Sequence, residues 1–331
     1  METLVSELKE TLRSWYRRPA FVSGVVVTLA LGIGMNAAVF AAIDAVLLSP
    51  LPYPDADRLV AIWTELPQQD RFKGEASPPE LLDVERRSTV FESVGGIWAR
   101  SGVLRGDGEE AEQIENGWVS GGFMNTLGTE AFLGRLLEPE DTLESNPTSI
   151  VLSHELWSRR YGSDPGLIGQ AIEFDDEPWT VVGIMPRGFR MWLPVEQGVP
   201  TMLDAWTPWR GDYTEYSRSF RVFSMIGRLE ATATQDRATA ELSRVAADVA
   251  AEYPGYERTG LGLRATPLQG SLVASAQPLL MVLGGVALFV LLVACANVAN
   301  LSLARANDRQ RELAVRVAGG VPDFQIEVAN L

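Results

Sequence analysis

The chain has 331 residues, 46% of them hydrophobic and 21% charged, with 28 basic side chains against 43 acidic ones and a formal net charge of −15. It is long enough for two or three domains, too apolar and too rich in tryptophan for disorder, and too acidic to select nucleic acid. With one cysteine (Cys295), one histidine (His154) and two lysines (Lys9 and Lys73), it excludes a disulfide scaffold, a zinc cluster, a histidine-based metal site and a Gly-Lys-Ser/Thr phosphate loop.

The charge is unevenly placed. Residues 1–48 and 277–331 each carry four basic and four acidic groups, so the whole excess falls on residues 49–276. Such a segment is repelled by anionic lipid headgroups. In chain order, residues 1–18 predict a cytoplasmic amphipathic helix with Leu4, Leu8, Leu12 and Trp15 on its apolar face.

The next segment, 19–48, contains an apolar run from Ala20 to Leu48 whose single charge is Asp44. About 20 residues cross the hydrocarbon. At about 1.5 Å per residue this run would reach roughly 43 Å, so it must tilt or project. A cleaved signal peptide is the rival reading, but its apolar region should be only about 7–15 residues long. Ala30, Gly34, Ala38 and Ala42 recur every four residues and predict a face that another helix can approach closely. The plain alternative is that small residues are common in membrane helices.

Residues 49–276 read as an extracytoplasmic α+β domain. A Pro-rich exit leads to a strand at 58–65. Ser77-Pro78-Pro79-Glu80 is a helix start, and that helix is predicted to run to Val94, stopped by Gly95-Gly96. Strands are expected at 97–104 and 110–119, then a short helix at 121–127. A β-α-β-β pattern follows: strand 149–152, helix 154–161 between Ser153 and Gly162, strand 171–174, turn 175–178 and strand 179–185. Residues 194–209 read as irregular. Strand 220–230, with Phe223, Met225 and Gly227 on one face, precedes a helix over 234–253, for which residues 232–235 offer a capping box. Strand 262–268 closes the segment. The two blocks predict one lobe inserted into another.

Segment 277–304 contains the uncharged run Pro278–Ala304 and reads as the second transmembrane helix, with Gly284, Ala287 and Ala294 as its small-residue side. Asn36, Asn297 and Asn300 suit interhelical hydrogen bonds. Arg13, Arg17 and Arg18 precede the first span, and Arg305, Arg309, Arg311 and Arg316 follow the second. The positive-inside rule therefore puts both termini in the cytoplasm and residues 49–276 outside. Residues 305–331 form a cytoplasmic segment in which Arg305, Arg309, Glu312 and Arg316 share a helical face and Leu313 lies on another. A charged amphipathic helix of this kind serves as an interfacial anchor or as a docking handle.

A search for chemistry finds little. Asp175, Asp176 and Glu177 beside Pro178 read as a hairpin turn. His154 reads as a surface helix residue, and Ser153 lacks the Gly-x-Ser-x-Gly context of a nucleophile. Trp157, Trp179, Trp192, Trp206 and Trp209 suit either a ligand cleft or core packing. No catalytic constellation, cofactor or metal site is expected.

Three blocks carry a resemblance: RRPAFVSGVVVTLALGIGMNAAVFAAIDAVLLSPLPYPDADRLV at the N-terminus, LSHELWSRRYGSDPGLIGQAIEFDDEPWTVVGIMPRGF at 152–189, and ANVANLSLARANDRQRELAVRVAGG at 296–320. Together they resemble the MacB/FtsX family of ABC transporter permeases, in its duplicated-permease branch. The resemblance implies a MacB-like periplasmic core domain between two transmembrane helices, with a porter-type α+β lobe interrupted by a second lobe. It implies a bacterial inner-membrane protein that draws power from a separate ABC ATPase subunit and works with a second permease copy or the remaining permease half. Residues 311–316, RELAVR, would then belong to the surface that meets the ATPase. Related permeases continue into further spans, whereas PDFQIEVANL follows here, so the expectation is a truncated product or a half-permease. The competing class is a two-span sensor or scaffold with an outer binding domain. A membrane-anchored hydrolase would need a catalytic constellation that the sequence lacks.

Overall fold

The computed structural model describes residues 24, 26, 27, 30, 32–38, 41, 51–106 and 109–318. The helix expected at 3–16, the ends of the first apolar run and the C-terminal tail lie outside the described residues. The chain divides into two compact units, residues 49–276 and residues 1–48 with 277–331.

Residues 49–276 are organised by one eleven-stranded sheet. In chain order its strands and helices are β1 (Leu59–Leu66), β2 (Arg71–Gly74), α1 (Pro78–Arg87), β3 (Phe91–Gly106), β4 (Glu109–Val119), α2 (Phe123–Leu127), β5 (Leu133–Gly134), β6 (Ser149–Leu152), α3 (His154–Tyr161), β7 (Ala171–Phe174), β8 (Glu177–Ile184), β9 (Ala205–Pro208), β10 (Ser224–Leu229), α4 (Gln235–Glu252) and β11 (Gly262–Pro267). The sheet order is β11-β1-β10-β3-β4-β9-β6-β8-β5, with β2 on β1 and β7 bonded to both β3 and β8. Pairing is antiparallel except at β4 with β9 and β6 with β8. The second lobe, β5 to β9, is inserted in the chain between β4 and β10 and extends the same sheet beyond β4.

The period-2 alternation of strands sends successive side chains to opposite faces. From β1, Val60 and Ile62 join Phe223, Met225 and the α4 stripe of Leu242, Val245 and Val249 in one core. Leu59, Ala61 and Trp63 point the other way, into a second core with Phe123, Met124 and Leu127 of α2. A third core fills the second lobe, where Leu156 and Trp157 of α3 meet Ile150, Leu152, Phe174 and Val181. Because β10 is covered on both faces, all six of its residues are buried, including Arg228. The Arg228 guanidinium donates to the carbonyls of Thr126, Leu127 and Asp55, the first two at the C-terminal end of α2.

Local signals settle several boundaries. Ser77 and Glu80 form the reciprocal capping box of α1, and Ser153 caps α3, which Gly162 ends at φ 58°. Asp175 and Asp176, at φ 52° and 63°, make the two-residue turn between β7 and β8.

The expected helix to Val94 is corrected: α1 ends at Arg87. Glu241 of α4 accepts from Ser88 Oγ and from the Thr89 backbone amide, drawing the chain off the helix. Gly95 is no helix stop but a strand position where a β-carbon would sit 2.3 Å from Cα of Phe123. The cap of α4 is Thr234, one turn before Arg237 N, rather than Thr232. The stretch read as irregular at 194–209 contains β9.

In the other unit, the described residues between 24 and 41 are all helical. The helix α5 (Leu268–Ala318), whose residues from 277 on belong to this unit, continues through Pro278. Its window Met281–Asn300, of mean hydropathy 2.5, is long and apolar enough to cross a membrane, the one such window among the described residues.

Candidate functional site

The residues expected to couple to an ATPase, Arg305, Arg309, Arg311, Glu312, Leu313 and Arg316, all fall in the last turns of α5, on helical backbone. The residues expected to pack helices are placed differently from the helix contact that forms. Ala30, Gly34 and Ala38 are exposed, and a β-carbon on Gly34 would meet nothing within 4 Å. Ala42 lies outside the described residues. The first helix meets α5 through Gly32, whose added β-carbon would lie 3.5 Å from Cβ of Ala294. It also meets α5 through Asn36, whose Nδ2 donates to the carbonyls of Gly32 at 2.8 Å and Ala287 at 3.4 Å. Ala287 and Ala294 are both buried there, whereas Asn297 and Asn300 are exposed. The contact with α5 is thus made by Gly32 and Asn36, two positions along from the exposed Ala30, Gly34 and Ala38.

In the outer domain the strongest concentration of chemistry is aromatic. Trp98 on β3 and Trp118 on β4 stand directly opposite each other in the ladder. Trp209, just past β9, lies 5.4 Å from the Trp98 ring and 6.4 Å from that of Trp118. Trp179 of β8 lies 5.8 Å from Trp118. Tyr216 stacks on Phe220 at 6.1 Å and closes one side. Together they bound a groove of about 480 Å³ that also includes Arg100, Arg210, Glu144 and Glu177. The Arg100 guanidinium sits 5.8 Å from the Trp98 ring, so a ring face of this groove already accepts a cation. Arg210 is held by the carbonyls of Leu143, Glu144 and Asn146.

Of the five tryptophans that suited a cleft, only Trp179 and Trp209 line this one. Trp157 and Trp206 are core residues, and Trp192 is exposed on a loop. Sequence reasoning missed Trp98 and Trp118. The signal was available: the two stand ten residues to either side of Gly108, in the gap between the two expected strands.

An ionic lattice borders the groove. Glu80, fully buried, accepts from Arg221 at 2.7 Å and from the Tyr256 hydroxyl at 2.6 Å. Asp83 pairs with Arg218 at 2.6 Å and Arg87 at 3.1 Å, and Arg218 lies 3.6 Å over the Tyr253 ring. Burial, then the charge of Glu80 and its hydrogen bond, push the Tyr256 hydroxyl well above its ordinary range. This lattice ties α1 to the 213–221 segment and to the end of α4. Among the described residues no group of three His, Cys, Asp or Glu side chains is placed to hold a metal. His154 packs edge-on against Phe132 and Trp157, each at 5.4 Å.

The profile of the MacB-like periplasmic core domain matches residues 24–245. No curated protein matches the chain. Similar solved structures include the extracellular domain of the noncanonic ABC-type transporter YknZ from Gram-positive bacteria, at 12% identity and a TM-score of 0.45, over 63% of this chain and 99% of that one. The periplasmic region of MacB from Actinobacillus actinomycetemcomitans aligns at 11% identity and 0.47, over 67% and 94%. A domain of a putative permease protein from Porphyromonas gingivalis aligns at 14% and 0.47, over 65% and 91%.

Proposed function

This chain belongs to the MacB-like periplasmic core domain family of MacB/FtsX-like ABC transporter permeases, and on that premise we propose that it is a permease subunit, or part of one, driven by a separate ABC ATPase. ATP-driven closure of the ATPase would displace the cytoplasmic turns of α5, and the work would appear outside the membrane as efflux or mechanotransmission. A rigid-body switch biased by nucleotide is the physical form of such coupling. The observation that carries the reading is the family match across the outer domain, supported by the apolar window of α5 that follows β11.

In this reading the chain sits in a bacterial inner membrane with both termini cytoplasmic. Arg305, Arg309, Arg311, Glu312, Leu313 and Arg316 form the surface that meets the ATPase. The Ala30, Gly34, Ala38 and Ala42 stripe is left for a second permease copy or the remaining permease half. The tryptophan groove is the cargo-contacting surface, where flat ring faces hold apolar or cationic groups.

Purification of the tagged chain from native membranes in mild detergent tests the reading. A P-loop ATPase should accompany the wild type and be lost from the Arg311→Glu, Leu313→Asp variant. A stable, inserted chain that brings down no ATPase refutes it.

A further inference from the structure

The loop between β8 and β9 carries the two most exposed large apolar side chains among the described residues of the outer domain, Val195 at 79% and Met202 at 61%, and with them Trp192 at 39%. It is not a slack excursion. Its inner residues Met191, Leu193 and Leu203 are buried in the second core, together with Tyr53 and Leu268. The Tyr53 hydroxyl donates to the Arg190 carbonyl and accepts from the Trp192 amide, both at 2.9 Å. The loop is thereby fastened to the two points at which the domain's chain begins and ends, because Tyr53 follows the first apolar run and Leu268 opens α5.

Chain length then bounds where the loop is. Tyr53 stands five residues past Leu48, the end of the first apolar run, so it is at most about 18 Å from that end. Leu268 is 13 residues before Met281, where the apolar window of α5 begins, about 20 Å along a helix. The first apolar run, at roughly 43 Å, is also longer than the hydrocarbon it must cross.

The loop's charge also differs from that of its acidic domain. Between Pro186 and Leu203 the charged residues are Arg187, Arg190 and Glu196. Glu196 is paired with Lys73 at 2.6 Å, whereas Arg187 and Arg190 form no ion pair among the described residues. A tryptophan, aliphatic side chains and unopposed arginines together suit the headgroup zone, where aromatic rings and cations favour the interface.

We propose that the 186–203 loop docks on the lipid surface of the membrane that anchors the chain, with Trp192, Val195 and Met202 in the headgroup region and Arg187 and Arg190 toward lipid phosphates. The occupant of this apolar patch is lipid rather than a protein. The proposal depends on membrane anchoring and not on the ATPase.

The test uses the full chain with Cys295→Ser, which removes the native thiol, and a single new cysteine at Val195→Cys, Met202→Cys or the exposed control Gln170→Cys. Each is labelled with an environment-sensitive fluorophore and reconstituted in phosphatidylethanolamine–phosphatidylglycerol vesicles, with and without brominated acyl chains. Blue-shifted emission that brominated lipid quenches at 195 and 202, but not at 170, is the expected result. Emission at 195 and 202 that is unquenched, whether blue-shifted by a protein neighbour or water-like, overturns the proposal. So does equal quenching at 170.

Discussion

Replacing Tyr53 with phenylalanine keeps the ring in the second core, where Phe189 lies 6.3 Å away, and removes only the hydroxyl. That hydroxyl serves two backbone groups of the 186–203 loop, the Arg190 carbonyl and the Trp192 amide. Leaving a donor and an acceptor unpartnered beside a buried ring costs about 2 kcal/mol. Because the loop can open and let water satisfy both groups, the cost should appear as local opening rather than global unfolding. At about 1.4 kcal/mol per tenfold, opening becomes roughly 30-fold more frequent. Hydrogen exchange followed by mass spectrometry on the reconstituted chain reads this directly. Peptides covering 187–199 should exchange faster by that factor, while α4 peptides stay at the wild-type rate. Unchanged exchange over 187–199 would refute the clasp. Acceleration in α4 as well would show that the hydroxyl supports the whole domain.

Burial pushes Tyr53 up to about 12, against the lowering effect of the Trp192 amide, and Tyr256 is also raised. The unfolded chain, with tyrosines near 10, loses these protons first. Stability is therefore complete below about pH 10 and falls as pH rises toward 12, by up to about 1.4 kcal/mol per pH unit for each tyrosine. Urea midpoints measured between pH 9 and 11.5 (about the range needed) should fall, and less steeply in Tyr53→Phe; a flat profile would contradict this. Gly122→Ala puts a β-carbon 2.2 Å from the Val94 carbonyl oxygen and should cost about 1–3 kcal/mol. Gly255→Ala, with nothing within 4 Å, should leave Tm near wild type, and equal Tm values for the two variants would show that the α2–β3 approach is not tight. Arg228→Met strands the Thr126 and Leu127 carbonyls and should lower stability by about 2–3 kcal/mol in denaturant titration.

Elements set by local chemistry were legible. The serine caps of α1 and α3, Gly162 and the Asp175-Asp176 turn all act within a few residues of themselves. The end of α1 was not, because Glu241, some 150 residues on, competes for the Ser88 and Thr89 donors. Strand β9 hid for a related reason: four residues among prolines become a strand only by pairing with β4 and β6. In the first helix the contact with α5 falls on Gly32 and on Asn36, which reaches the Ala287 carbonyl, a partner 251 residues away that no local pattern of small residues announces. The tryptophan groove was half visible, since Trp179 and Trp209 arrive from one lobe while Trp98 and Trp118 arrive from the long hairpin shared by both.

That hairpin has a mechanical corollary. The sixteen residues of β3 pair with β10 over their first part, with β4 from Ile97 to Gly106 and with β7 near the far end, so the two lobes are laminated by one beam rather than joined by a tether. Backbone hydrogen bonds resist stretching far better than a flexible linker does. A load applied at one lobe therefore reaches the other with little lost to bending, and the compliance of this domain lies in its loops.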